Sequence, residues 1–338
     1  MLYRAVRPLL FALDPESAHS LSLGGLDLLS RVGAGALLSC PVPRIPVRVM
    51  GLDFPNPVGL AAGLDKDGAH VDGLAALGFG FLELGAVTPL PQPGNPGPRV
   101  FRLPQAQALI NRLGFNSRGI DAFVANLSRA RSGAIIGVNI GKNADTANER
   151  AIEDYVACLR KVYPLAGFVT ANVSSPNTKN LRELQRADEL DAFLSALAAE
   201  RDRLAREHRR RVPLAVKLSP DLDDAGIAAV ADRVAARAID AVIATNTTVS
   251  REAVEHLPHG REQGGLSGAP LKARATEVVR KLRRALPASV AIIGVGGIAS
   301  AADAREKLDA GASLVQLYTA LVYRGPGLVG EIVRGLAR

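Results

Sequence analysis

Eight short apolar runs recur along the chain with helical stretches between them: NPVGLAA, FLELGAV, AIIGVNI, GFVTANV, PLAVKLS, DAVIATN, VAIIGVG and SLVQLYT. They end near Ala62, Val87, Ile140, Val173, Ser219, Asn246, Gly296 and Thr319. Runs that are apolar on both faces and alternate with helices of roughly 10 to 20 residues predict a parallel sheet. Eight such units close into an α/β fold of the (β/α)8 TIM-barrel type. Its interior is packed side chains, and its active site lies in the loops after the strand carboxyl ends. The search for chemistry narrows to those ends.

Ahead of the repeat, MLYRAVRPLLFALDPESAHSLSLGGLDLLSRVG and the Pro-rich link PVPRIP predict two short helices. Asp14 is placed to cap the second, with Pro15 at its first position and Glu16 at its positive end. Leu2, Val6, Leu9, Leu10 and Leu13 stripe the first helix; Ala18, Leu21, Leu28 and Leu29 give the second an apolar surface, with His19 beside them. Two readings stand: a pair packed on the barrel, or a pair that also lies in a membrane interface with Arg4 and Arg7 near lipid phosphates. The pair is too short to span a bilayer. Asp14 and Glu16 interrupt the apolar run and no small-residue cleavage pattern follows, so no signal peptide is expected. The expected division is a helical segment over 1–40 and a barrel over 41–338.

Composition adjusts this picture only slightly. Lys and Arg outnumber Asp and Glu by 41 to 33 in 338 residues, which suits an anionic lipid or an acidic ligand. The densest basic run, Arg201 to Arg211, continues a helical pattern without interleaved aromatics and reads as a solvated barrel helix; no nucleic acid is expected. Cys40 and Cys158 stand far apart, outside any C-x-x-C spacing, so neither a disulfide nor a zinc site is expected and a reducing compartment fits. His19, His70, His208, His256 and His259 all fall away from strand ends, which disfavours a metal centre or a catalytic histidine.

The strand ends carry amides. Asn139, Asn172, Asn177 and Asn246 lie at or just beyond the third, fourth and sixth strands, and Asn111 sits in the long loop after the second. An amide both donates and accepts, so a ring of amides suits a planar ligand edged with C=O and N–H groups. Lys66 and Lys217 are also at strand ends, where a buried ammonium requires an anion; taken alone, either could form a Schiff base instead. GVGGI places Gly296 and Gly297 between the seventh strand and its helix, and Tyr318 with Thr319 closes the eighth, the usual place for a phosphate in a barrel. Ser174 and Ser175 in NVSSPNT have no histidine to complete a hydrolytic triad.

The segments AAGLDKDG, TPLPQPGNPGPRVFRLP, INRLGFNS, GVNIGKN, NVSSPNT, VKLSPD, ATNTT, GGLSG, GVGGI and LYTALVYRGP, in this order and at these strand ends, resemble those of dihydroorotate dehydrogenase over nearly the whole chain. Within that family the chain is similar to the second, quinone-dependent class, because Ser175 occupies the base position, no cysteine is nearby and the amino-terminal segment is present. The resemblance implies oxidation of (S)-dihydroorotate to orotate in UMP biosynthesis. FMN would take the hydride and a membrane quinone would receive the electrons. It implies that Ala62, Gly63, Leu64, Asp65, Lys66, Ala86, Asn139, Asn172, Lys217, Thr245, Gly268, Gly297, Tyr318 and Thr319 surround FMN. Lys66, Asn111, Arg112, Leu113, Gly114, Phe115, Asn172, Asn177, Asn246 and Thr247 would hold the substrate, and His19 and Arg102 would line a quinone tunnel. A monomer bound peripherally to the cytoplasmic face of the cell membrane follows from the same resemblance.

The resemblance further implies that Ser175 removes the C5 proton of dihydroorotate and that Lys217 stabilises the reduced flavin. One departure is Ala86, which stands before VTP where many relatives carry a hydroxyl residue, so a direct hydroxyl bond to the flavin is lost. Three rivals make different predictions. A Schiff-base lyase using Lys217 predicts a colourless protein, and a non-catalytic membrane or partner-binding barrel predicts no turnover with any quinone. A soluble dehydrogenase of the other class predicts that deleting residues 1 to 40 leaves quinone activity unharmed.

Overall fold

The computed structural model describes residues 2–33 and 42–338. The expected division at residues 40 and 41, and Cys40 with it, lies outside the described residues. Helices α1 (Leu2–Ala12) and α2 (Pro15–Arg31) come first, as the pattern predicts, followed by a hairpin of β1 (Val47–Val49) and β2 (Leu52–Phe54). Asp14 caps α2: its Oδ2 accepts the backbone N–H groups of Glu16 at 3.1 Å and Ser17 at 2.9 Å, and Pro15 follows where no N–H is needed.

The repeat then runs β3 (Val58–Leu60), α3 (Val71–Ala75), β4 (Phe81–Val87), a two-stranded excursion β5 (Val100–Leu103) and β6 (Ala108–Asn111), α4 (Ile120–Leu127), β7 (Ile135–Ile140), α5 (Ala151–Val162) and β8 (Phe168–Asn172). It continues with α6 (Ala187–His208), β9 (Leu214–Leu218), α7 (Asp224–Ala236), β10 (Ala241–Ala244), β11 (Gly265–Gly268), α8 (Lys272–Ala285), β12 (Ala291–Val295), α9 (Ala301–Asp309), β13 (Leu314–Leu317), α10 (Thr319–Arg324) and α11 (Gly327–Leu336). Strands β3, β4, β7, β8, β9, β10, β12 and β13 close a parallel barrel in that order, each grown from one of the eight apolar runs.

Inside a barrel, side chains two residues apart along a strand point the same way and stack in layers. The floor is aromatic. Phe81 and Phe168 face glycines on neighbouring strands, and a Cβ at Gly59 or at Gly137 would lie 2.2 Å from the facing ring. Phe54, brought beneath by the hairpin, meets Phe81 edge-on at 5.3 Å. Two residues further along β4 and β8 come Glu83 and Thr170, and two further again Gly85 and Asn172, at the mouth. The floor therefore sets the phase of the strand residues above it.

Strands β5, β6 and β11 form a separate antiparallel sheet over the mouth, with Asn111 opposite Gly265. The eight apolar runs did not predict it. Arg201 also departs from the expected solvated helix: its side chain is buried, reaching the Ala238 carbonyl at 2.8 Å and Asp240 at 3.4 Å, because α6 must be tied to the turn before β10. The basic run's last residues lie beyond the end of α6, and Arg210 donates to the carbonyls of Tyr163 and Ala166.

Candidate active site

A cleft of about 1140 Å³, counting the open solvent at its mouth, lies over the carboxyl ends of the barrel strands beneath the antiparallel sheet. Its polar wall is a chain of amides. Asn172 Nδ2 donates to Asn139 Oδ1 at 3.0 Å, and Asn246 Nδ2 donates to Asn172 Oδ1 at 3.3 Å and to Ser174 Oγ at 3.0 Å. Asn177 Nδ2 reaches Asn111 Oδ1 at 3.2 Å and the Asn111 carbonyl at 3.1 Å, so the excursion sheet is pinned to the loop after β8. The expected amide ring is thus brought together by strands β6, β7, β8 and the loop after β10.

Ser175 is buried on the same loop, lines the cleft, and its Oγ accepts the Asn177 N–H at 3.2 Å. Cys158 is buried under the barrel wall, its thiol pushed up by desolvation and held inert in α5. Lys66 lines the cleft and donates to the Gly63 carbonyl at 3.0 Å. Burial is the main influence on it and brings its ammonium down to about 8, against which the nearby Glu16 acts. Lys217 lies on the opposite side, nearly buried, with Nζ 4.0 Å from a carboxylate oxygen of Glu83.

The end expected to hold a phosphate is lined by glycines. Gly296 and Gly297 both take positive φ, at +117° and +71°, and a Cβ on Gly297 would lie 2.5 Å from Lys272 Cβ. Thr319 Oγ1 donates to Ser267 Oγ at 2.8 Å, and Tyr318 OH donates to the Gly63 carbonyl at 3.3 Å. Burial pushes the Tyr318 phenol up to about 12. Ala62, Ala86, Thr245, Thr247 and Gly268 also line the cleft.

Some expected residues stand elsewhere. Arg112 turns its side chain away, over the Phe101 ring and onto Glu262 at 2.7 Å, while Leu113, Gly114 and Phe115 line the cleft. Its long side chain finds a carboxylate and an aromatic face on the outer side of β5 and β6, so Arg112 does not line the cleft. Asp65 serves the loop after β3, accepting the Ala69 and His70 N–H groups at 3.0 and 2.8 Å. Leu64 packs against the barrel core, and Asn139 lies just beneath the cleft wall. His19 belongs to α2 and Arg102, from β5, meets the end of α1: burial, with Lys66 and His70 nearby, lowers His19 to about 4, and Arg102 donates to the Phe11 and Leu13 carbonyls at 3.1 and 2.9 Å.

Two residues were missed. Glu83, a single acid inside FLELGAV, is fully buried between Asn139 and Gln316. Arg182 joins the Ser174 carbonyl, the Thr247 carbonyl and Asp221. A charge inside an otherwise apolar run was the available signal for Glu83; Arg182, in a short 3-10 helix after β8, offered none.

A sequence model described as dihydroorotate dehydrogenase matches residues 44–338. The chain is 59% identical over 338 residues to the dihydroorotate dehydrogenase (quinone) of Thiobacillus denitrificans, with all of both chains covered. It is 60% identical over 337 residues to that of Burkholderia multivorans, covering 100% of this chain and 98% of the other. Its fold is similar to that of DHODH from Eimeria tenella in complex with ferulenol, with a TM-score of 0.86 and 38% identity over 96% of this chain and 90% of that one.

Proposed function

The chain belongs to the dihydroorotate dehydrogenase family, and from that premise we propose that it is a quinone-type member of pyrimidine biosynthesis, whose cleft holds FMN and oxidises dihydroorotate to orotate. The observation that carries the proposal is the meeting in one cleft of four unlike parts: a glycine-lined phosphate end, a hydrogen-bonded amide wall, two lysines and the buried Ser175. A flavin mononucleotide fits this donor set. Its phosphate matches the backbone of Gly296 and Gly297, and its ring edge of alternating donors and acceptors matches the amides. Gln316 Oε1, buried without a partner on a residue lining the cleft, is an acceptor left for such an edge.

When bound, FMN supplies the two-electron acceptor that no side chain can. The chain's own residues do the rest. Lys66 binds the substrate carboxylate, and Asn111, Asn172, Asn177 and Asn246 hold the pyrimidine edges, fixing which face of the ring meets Ser175. Ser175 Oγ takes the C5 proton as its own hydroxyl proton passes on to water at the open mouth of the cleft, while its burial keeps bulk water from competing at the substrate. Lys217 places a fixed positive charge where negative charge accumulates. Ala86 gives the flavin no side-chain hydroxyl, so binding there falls to backbone groups or water.

Residues 1–40 form the quinone-access segment in this reading, with His19 and Arg102 beside the quinone's path, and place the protein peripherally on the cytoplasmic membrane face as a monomer. Among the described residues, no helix is long and apolar enough to cross a membrane. Outward-facing Leu9, Leu21 and Leu28 support an interfacial placement.

An anaerobic spectrum tests the core of the proposal. Purified protein should show a flavin band that dihydroorotate alone bleaches. Ser175→Ala should keep the band and bleach about 10² to 10⁴ times more slowly. Normal bleaching by that variant would remove Ser175 from the reaction.

A further inference from the structure

We propose that Glu83 is a positioning residue for this reaction. From beneath the cleft, its carboxylate fixes the polarity of the amide wall and offsets the positive charge of Lys217, so that it sets the reduction potential of the bound flavin. The inference rests on the reading of the cleft as a flavin site.

Glu83 is fully buried in the middle of β4, and it does not itself line the cleft. Both its oxygens accept amide N–H groups: Asn139 Nδ2 at 2.7 Å on Oε1 and Gln316 Nε2 at 2.6 Å on Oε2. This is the pattern of a carboxylate, which only accepts. A glutamine would fill the same space without the cost of burying a charge, and a buried ion pair is weak evidence of a stabilising role. The charge therefore calls for a reason outside stability.

The first reason is orientation. Because Glu83 can take only donors, Asn139 and Gln316 must both turn their NH2 groups toward it and their carbonyl oxygens away. Asn139 Oδ1 is then the acceptor for Asn172 Nδ2 at 3.0 Å, and Asn172 Oδ1 in turn accepts from Asn246 at 3.3 Å and from Ser174 Oγ at 3.3 Å. The direction of every bond in this chain begins at the carboxylate. Gln316, turned the same way, keeps an unpartnered Oε1 on a cleft-lining residue. An amide at position 83 could donate as well as accept, and either neighbour could flip.

The second reason is charge. Lys217 Nζ lies 4.0 Å from Glu83 Oε2, beyond a hydrogen bond but well within Coulombic range in a dry interior. The lysine keeps its N–H donors for what enters the cleft, while its field there is partly cancelled from below. Removing the negative charge leaves Lys217 uncompensated and favours the more negative, reduced state of the ligand above it.

The test is the midpoint potential of the bound flavin, measured with orotate affinity and melting temperature in the full-length protein, in Glu83→Gln and in Glu83→Asp. Glu83→Gln should load flavin and raise the potential by about 30 mV or more, which for a two-electron couple is a tenfold shift toward the reduced form. Its orotate affinity should fall as the amides lose their fixed direction. Glu83→Asp keeps the charge on a shorter arm, so its potential should move less than that of Glu83→Gln while orotate still binds more weakly. An unchanged potential in flavin-loaded Glu83→Gln overturns the proposal. So does a Glu83→Gln chain that fails to fold, since that makes the carboxylate a structural requirement of the barrel. Failure of the flavin reading looks different: the parent protein itself would carry no band for dihydroorotate to bleach.

Discussion

Lys66 is pulled two ways. Removal from water brings its ammonium down to about 8, and Glu16 from α2 opposes this only partly. The charged form, which a substrate carboxylate requires, is full below that value and is lost as the pH rises through it. Orotate affinity should accordingly be level at neutral pH and weaken on the alkaline side, the midpoint moving upward as the bound anion holds the proton on. The sign for stability is opposite. With the folded value below the ordinary 10.5, the buried charge weakens the fold below about 8, and that loss is relieved as pH rises toward 10.5. Titration of orotate binding over about pH 6 to 10 checks the first statement. Lys66→Met should lose the alkaline limb and, at neutral pH, about 1.5–3 kcal/mol of a charge-assisted contact; an alkaline limb that persists in Lys66→Met assigns the titration to another group. Lys66 was legible from the sequence because an ammonium after a barrel strand is costly without a purpose. Glu83 stood out only as a charge in an apolar run, since its meaning appears only when strand register sets it between Asn139 and Gln316, the latter 233 residues further along the chain.

At the scale of elements, the loops after β8, β9 and β10 behave as one piece because Arg182 crosses all three. Its Nε donates to the Ser174 carbonyl at 3.1 Å, one terminal nitrogen to the Thr247 carbonyl at 2.9 Å, and the other to Asp221 Oδ2 at 2.8 Å. Asp221 is held in turn by Thr248 Oγ1 at 2.5 Å and by the Val249 N–H at 3.0 Å. Ser174, which precedes the proposed base, and Thr247, a proposed substrate residue, therefore share a guanidinium. An error of about 1 Å in such a placement costs on the order of 10²-fold in rate, so Arg182→Ala should slow bleaching by dihydroorotate to that degree. Reoxidation by quinone of chemically reduced protein should be unchanged. Arg182→Lys should recover only part, because one ammonium cannot match a planar fork with three acceptors; full recovery would show that charge alone suffices. The eight barrel strands were legible as largely apolar runs of four to seven residues, the three-residue β3 included in a longer run. Strands β5, β6 and β11 were not: β5 alternates in burial, and β6 and β11 meet only across the chain, Asn111 opposite Gly265.

For the whole molecule, the question is why two helices are carried outside a complete barrel. Their attachment has a polar part and an apolar part. Tyr3 OH donates to the Val322 carbonyl at 2.6 Å, Arg7 to the Tyr323 carbonyl at 2.9 Å, Arg99 pairs with Glu16 at 2.8 Å and His70 meets Asp27 at 2.6 Å. Ala18, Leu23 and Leu26 are buried in the same interface. Other leucines of the helices point away from the protein, Leu9 at 72%, Leu21 at 60% and Leu28 at 62% exposure. The outward leucines and the net charge of +8 are what support the proposed placement on an anionic membrane interface. Replacing Leu9, Leu21 and Leu28 together by Glu leaves the docking bonds and the cleft untouched. That variant should stay in the supernatant when anionic vesicles are sedimented, lose turnover with a vesicle-borne quinone, and keep parental bleaching by dihydroorotate. Raising salt on the parent protein should weaken but not abolish vesicle binding, because screening reaches the charge term and not the buried leucine area. Co-sedimentation of the triple variant at the parental level would mean that the leucines face something other than lipid.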